Sequence, residues 1–74
     1  MTVRVRRKEG KTIIETDTPE GYVRHGLIHD DRSLLGAMSA FGIEEVEGND
    51  LYELRRDFDK KFKEKYGETY FLPE

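Results

Sequence analysis

The hydrophobic pattern changes period once along the chain, and that change limits the fold more than any other feature. Across residues 3–16 apolar and β-branched residues alternate with polar ones, the period-two pattern of half-buried strands. From Leu34 onward apolar residues recur at steps of three and four, the period of an α-helix. A strand pattern followed by a helix pattern, without alternation between them, implies an α+β domain. Its two helices pack on one face of a three-stranded antiparallel sheet.

Val3 and Val5 lie on one face of the first expected strand, with Thr2, Arg4 and Arg6 on the other. Thr12, Ile13, Ile14 and Thr16 supply the β-branched residues of a second. Between them Lys8-Glu9-Gly10 predicts a hairpin loop, a type I turn closed by a bulge at left-handed Gly10. Asp17-Thr18-Pro19-Glu20-Gly21 breaks the pattern as a turn or a short helical start. Residues 22–28, Tyr-Val-Arg-His-Gly-Leu-Ile, alternate roughly and predict the third strand, with Gly26 at a bulge. The sheet is therefore expected to consist of the N-terminal hairpin plus one strand, complete before the helices begin.

Leu34, Leu35, Met38 and Phe41 follow Asp31, whose carboxylate can cap the first exposed amides of a helix of about three turns. Gly42 marks its end, with Ile43 packing back on Met38. Asp50 and Glu53 have the spacing of a reciprocal cap at the start of a longer helix. In that helix Leu51, Leu54, Phe58, Phe62 and Tyr66 form one apolar stripe, while Asp57 with Lys61 and Asp59 with Lys63 make i,i+4 pairs on the wet side. Gly67 ends it. The tail Thr69-Tyr70-Phe71-Leu72-Pro73 is too apolar for open water and is expected either to add a short C-terminal edge strand or to pack on the last helix. No linker divides the chain, so residues 1–74 form a single compact domain.

Several classes of chemistry find no support. Without cysteine there is no disulfide framework, thiolate zinc site or cysteine nucleophile. No apolar run reaches the ~18–20 residues of a membrane span, and Met1-Thr2-Val3-Arg4-Val5-Arg6 lacks an apolar secretion core, so no membrane partner and a cytoplasmic location are expected. His25 and His29, with Asp30 and Asp31 behind them, would share a face, but on a strand roughly 13 Å would separate the imidazoles, too far for one metal. Ser33 and Ser39 sit in no nucleophile turn, and the seven scattered glycines form no phosphate loop. A non-catalytic chain without metal or cofactor is the expectation.

Charge gives the functional expectation. Residues 1–29 carry six basic and four acidic groups, residues 30–74 seven basic and twelve acidic. Residues 42–54 hold Glu44, Glu45, Glu47, Asp50 and Glu53 with no cation, read as an acidic loop between the helices that docks on another protein, with Tyr52 as an anchor. Apolar surface left over from Tyr52, Phe58, Phe62, Tyr66, Tyr70 and Phe71 would extend that contact. The alternative is a basic hairpin that tracks nucleic-acid phosphates through Arg4, Arg6, Lys8 and Lys11. A core this small supplies only about 3–5 kcal/mol, which makes a partner protein or a homodimer an expected source of further stability.

Overall fold

The computed structural model describes residues 2–19, Ile28 and residues 31–73. Among them the elements run β1 (Val3–Lys8), β2 (Lys11–Thr16), α1 (Arg32–Phe41), β3 (Glu45–Gly48) and α2 (Leu51–Tyr66). The sheet is antiparallel with order β2-β1-β3, so the first strand of the chain is the central one. Both helices lie on one face, where Val3, Val5 and Val46 meet Leu34, Met38, Leu54 and Phe58 in a common core. Each such side chain contributes about 1.5–3 kcal/mol on burial.

The β1–β2 register closes at Lys8 opposite Lys11, leaving Glu9 and Gly10 as a two-residue loop. Their φ angles of 54° and 79° mark a type I′ turn rather than the type I turn with bulge that Lys8-Glu9-Gly10 suggests. The primed turn wins because its twist matches that of the flanking strands.

Among the described residues the third strand of the sheet comes from a segment that the sequence pattern does not mark as a strand. It is formed by Glu45–Gly48, inside the acidic block read as a loop, and it lies between the helices in chain order. Val46, fully buried opposite Val5, is its one core residue. A single apolar residue among acids carries no periodic signal, so pairing with β1 overrides local propensity. The strand expected over 22–28 lies outside the described residues except for Ile28, which is buried and helical.

β3 is an edge strand, yet side chains of α2 cover its outer border. Asp57 Oδ2 accepts from the Glu47 amide at 2.9 Å, and Lys61 Nζ donates to the Glu45 carbonyl while holding Asp57 at 3.1 Å. The expected i,i+4 pair of Asp57 and Lys61 is thus formed and reaches the sheet as well.

Helix ends follow the cap chemistry. Asp31 accepts from the amides of Ser33 and Leu34, and α1 closes at left-handed Gly42 with the buried Ile43 donating its amide to the Met38 carbonyl. Asp50 accepts from the Glu53 amide at 2.8 Å while Glu53 reaches back to the Asn49 amide. Gly48 approaches this first turn so closely that a Cβ there would sit 2.7 Å from Glu53 Cβ and 2.9 Å from the Leu54 nitrogen. A Cβ at Gly36 would meet nothing within 4 Å among the described residues. Gly36→Ala is therefore expected to raise stability by about 0.5–1 kcal/mol and Gly48→Ala to lower it by about 1–3 kcal/mol, both measured by urea unfolding.

The tail does not form an edge strand. Asp59, expected on the wet side of α2, is 3% exposed and gathers the tail by accepting the amides of Tyr70, Phe71 and Leu72 at 3.1, 2.9 and 2.8 Å. Three donors converging on one carboxylate satisfy what would otherwise be a buried charge, and a strand would have turned alternate amides away from it. Asp59→Ala should lower unfolding free energy by about 3 kcal/mol, with Asp59→Asn losing less because its amide oxygen still accepts. Urea titration measures both, and the Tyr70–Leu72 amide resonances should move most.

Candidate functional site

The strand alternation that buries Val3 and Val5 turns Arg4 and Arg6 to the open face of the sheet. There Arg4 stands opposite Glu15 on one side and Glu47 on the other, and Arg6 opposite Ile13 and Glu45. Arg4 pairs with Glu45 and Glu47 at 3.1 Å each, and Arg6 with Glu15 at 3.3 Å and more loosely with Glu45 at 4.0 Å. The hydrogen bond from Arg4 to Glu47, aided by that carboxylate's charge, raises the guanidinium above its already high ordinary value. At the other end of the hairpin Asp17 accepts the Thr2 amide, which holds its carboxyl below the usual range.

Two of the residues assigned to an acidic docking loop thus neutralise two assigned to a basic ribbon. Opposite charges that the sequence separates by some forty positions are neighbours on one face, and the expected segregation of charge does not occur. Of the remaining acids, Asp50 and Glu53 hold the cap of α2. Glu44 and Tyr52 are exposed, with no ion pair or hydrogen bond at their side chains among the described residues. At the hairpin tip Lys8 and Lys11 face one another, likewise without an acidic partner among the described residues.

A second surface forms where α1, α2 and the tail meet. Phe41, the last residue of α1, lies 5.0 Å from Phe62, 5.8 Å from Tyr66 and 5.2 Å from Tyr70, ring centre to ring centre and edge to face. Its carbonyl, left over at the helix end, accepts from Lys65 Nζ at 2.8 Å and from the Tyr66 hydroxyl at 3.4 Å. Tyr66 and Tyr70 nonetheless remain 48% and 51% exposed. The stripe spacing predicts Tyr66 as core; the helix outruns the sheet beneath it, and the ring ends at the border. Nothing in the spacing of Phe41 marks it as the junction, although its place just before the Gly42 stop puts it at a helix end.

Comparison with protein-family models, with curated proteins and with solved structures finds no match to this chain. Its chemistry must be read from its own residues.

Among the described residues no group of three or more acidic or histidine side chains could hold a metal ion. His25, His29 and Asp30 lie outside those residues, and Asp31 is engaged in the α1 cap and in a 3.2 Å pair with Arg55. Ser39 accepts a hydrogen bond from Arg7 at its hydroxyl, and Ser33 lies exposed in the first turn of α1. A depression of about 520 Å³ lies along α2 and mixes Arg56 and Lys60 with Glu53 and Asp57.

The sheet-face ion pairs are half exposed and screened by water, so they set register more than they add stability. Arg4→Met should lower the urea midpoint at low ionic strength. The gap from wild type should narrow at about 1 M salt, where the screening length falls to about 3 Å.

Proposed function

We propose that the chain is a non-catalytic, cytoplasmic protein-binding module whose contact surface is the aromatic corner formed by Phe41, Tyr66 and Tyr70. The observation that carries this reading is the pair of half-exposed tyrosines anchored by edge contacts to a packed ring beneath them. Such rings are already ordered, so a partner covers a large amphipathic area at little entropic cost. Lys65 borders the corner, its Nζ 5.5 Å from the Tyr66 ring centre, and exposed Lys60 and Lys63 lie on the same last two turns of α2, with exposed Glu64 among them and Glu68 just beyond. That rim favours a partner with an apolar notch bordered by carboxylates. Glu44 and Tyr52 remain available for a secondary contact, whereas Glu45, Glu47, Asp50 and Glu53 act within the fold.

A second reading rests on the hairpin tip, where Lys8 and Lys11 stand without acidic partners among the described residues. With Arg4 and Arg6 engaged by glutamates, two phosphate contacts remain, for a slope of about -1.8 in log K against log salt on duplex DNA. Glu9 and Glu44 beside the tip oppose phosphates, which ranks this reading second. A further copy of the same chain is a separate partner, carried by the border of β2.

Capture from nuclease-treated lysate on immobilised chain distinguishes the readings. A specific protein retained by wild type should be held at least tenfold less by Tyr66→Ala and several-fold less by Lys60→Glu, and equally by Lys8→Glu. Retention that ignores Tyr66 and Lys60, or disappears with nuclease, defeats the aromatic-corner reading.

A further inference from the structure

We infer that the outer edge of β2 is a self-association surface, pairing antiparallel with the same edge of a second copy so that Ile13 lies opposite the partner's Ile13. Three observations lead there: which backbone groups face outward, which side chain is left exposed, and which charges meet.

The two-residue turn makes Lys8 and Lys11 a hydrogen-bonded pair, so Lys11, Ile13 and Glu15 bond to β1 and Thr12, Ile14 and Thr16 point their amides and carbonyls outward. The Arg7 amide, bonded to the Glu44 carbonyl across β3, confirms the phase, because Arg7 is the register partner of Thr12. Among the described residues those outward groups of β2 have no hydrogen-bond partner, whereas the border of β3 is covered by Asp57 and Lys61. An open strand edge is a template for another strand.

Ile13 is 54% exposed on a sheet face otherwise made of charges. Hydrogen bonding between Thr12 and the partner's Ile14, in both directions, places the two Ile13 residues in the intervening non-hydrogen-bonded site. There Cα atoms come within about 4.5 Å and side chains touch. In that register Lys11 faces the partner's Glu15 on each side of the two-fold axis. Shifting the axis to Ile14 would set each Ile13 opposite a Glu15 and lose the apolar contact. Charge and hydrophobic complementarity therefore agree on one alignment. The contact is smaller than the ~1,600 Å² of a standard interface, so association is reversible and depends on concentration.

Sedimentation equilibrium from about 10 μM to 1 mM tests this, with hydrogen exchange at Thr12 and Ile14. Wild type should pass from monomer to dimer, and both amides should gain protection as it does. Ile13→Glu keeps a partner for Arg6 within the monomer but opposes two carboxylates across the axis, and should weaken the dimer at least tenfold. Lys11→Glu and Glu15→Lys should each weaken it roughly tenfold, and the double exchange should restore it. Circular dichroism checks that each variant is folded. A strictly monomeric wild type overturns the inference, as does a dimer indifferent to Ile13→Glu or a double exchange that fails to rescue. A β2 edge that accepts a strand of another protein while the chain itself stays monomeric overturns it too.

Discussion

Pairing of β1 on both sides is the constraint on which the structure rests. Its odd-numbered residues Val3 and Val5 form the floor of the core, and its even-numbered residues Arg4 and Arg6 organise the opposite face. An isolated hairpin is marginal in water, so β1 and β2 need β3 and the helices above them. β3 in turn offers a single buried side chain, and its border is held by Asp57 and Lys61 of α2. Sheet and helix are thus mutually dependent, and loss of either should unravel the other in one cooperative step.

Asp59 plays the corresponding part at the far end. By collecting three consecutive amides it turns a tail with no regular structure into a wall of the core, where Phe71 packs against Phe58 and receives the Arg55 guanidinium 5.4 Å above its ring. The same folding-back presses Tyr70 against Phe41, so the rigidity of the aromatic corner depends on one buried carboxylate beneath it. The proposed docking surface therefore rests on covalently distant parts of the chain that only the folded state joins.

Much of this was legible in the residues. The hairpin, both helices, their acidic N-caps and their glycine stops follow from local chemistry that tertiary contacts do not contradict. The acidic strand was not legible, because Glu45-Val46-Glu47-Gly48 has the composition of a loop and acquires its conformation from β1. Nor was the role of Asp59, since its ligands come from eleven to thirteen residues away and no spacing rule relates them. The charge map misled for a related reason: counting along the chain separates groups that sheet pairing brings to within 3.1 Å. The aromatic corner could be suspected from the excess of rings, but its location depended on where α2 outran the sheet.

The cover that α2 places over β3 has a bearing on size. Were both borders of the sheet bare, each added copy would expose a new growing end, and strand addition would propagate into a fibre. With the β3 border blocked in every copy, the proposed pairing through β2 would consume the one border left open among the described residues, giving a six-stranded sheet covered on both sides, so assembly would halt at two.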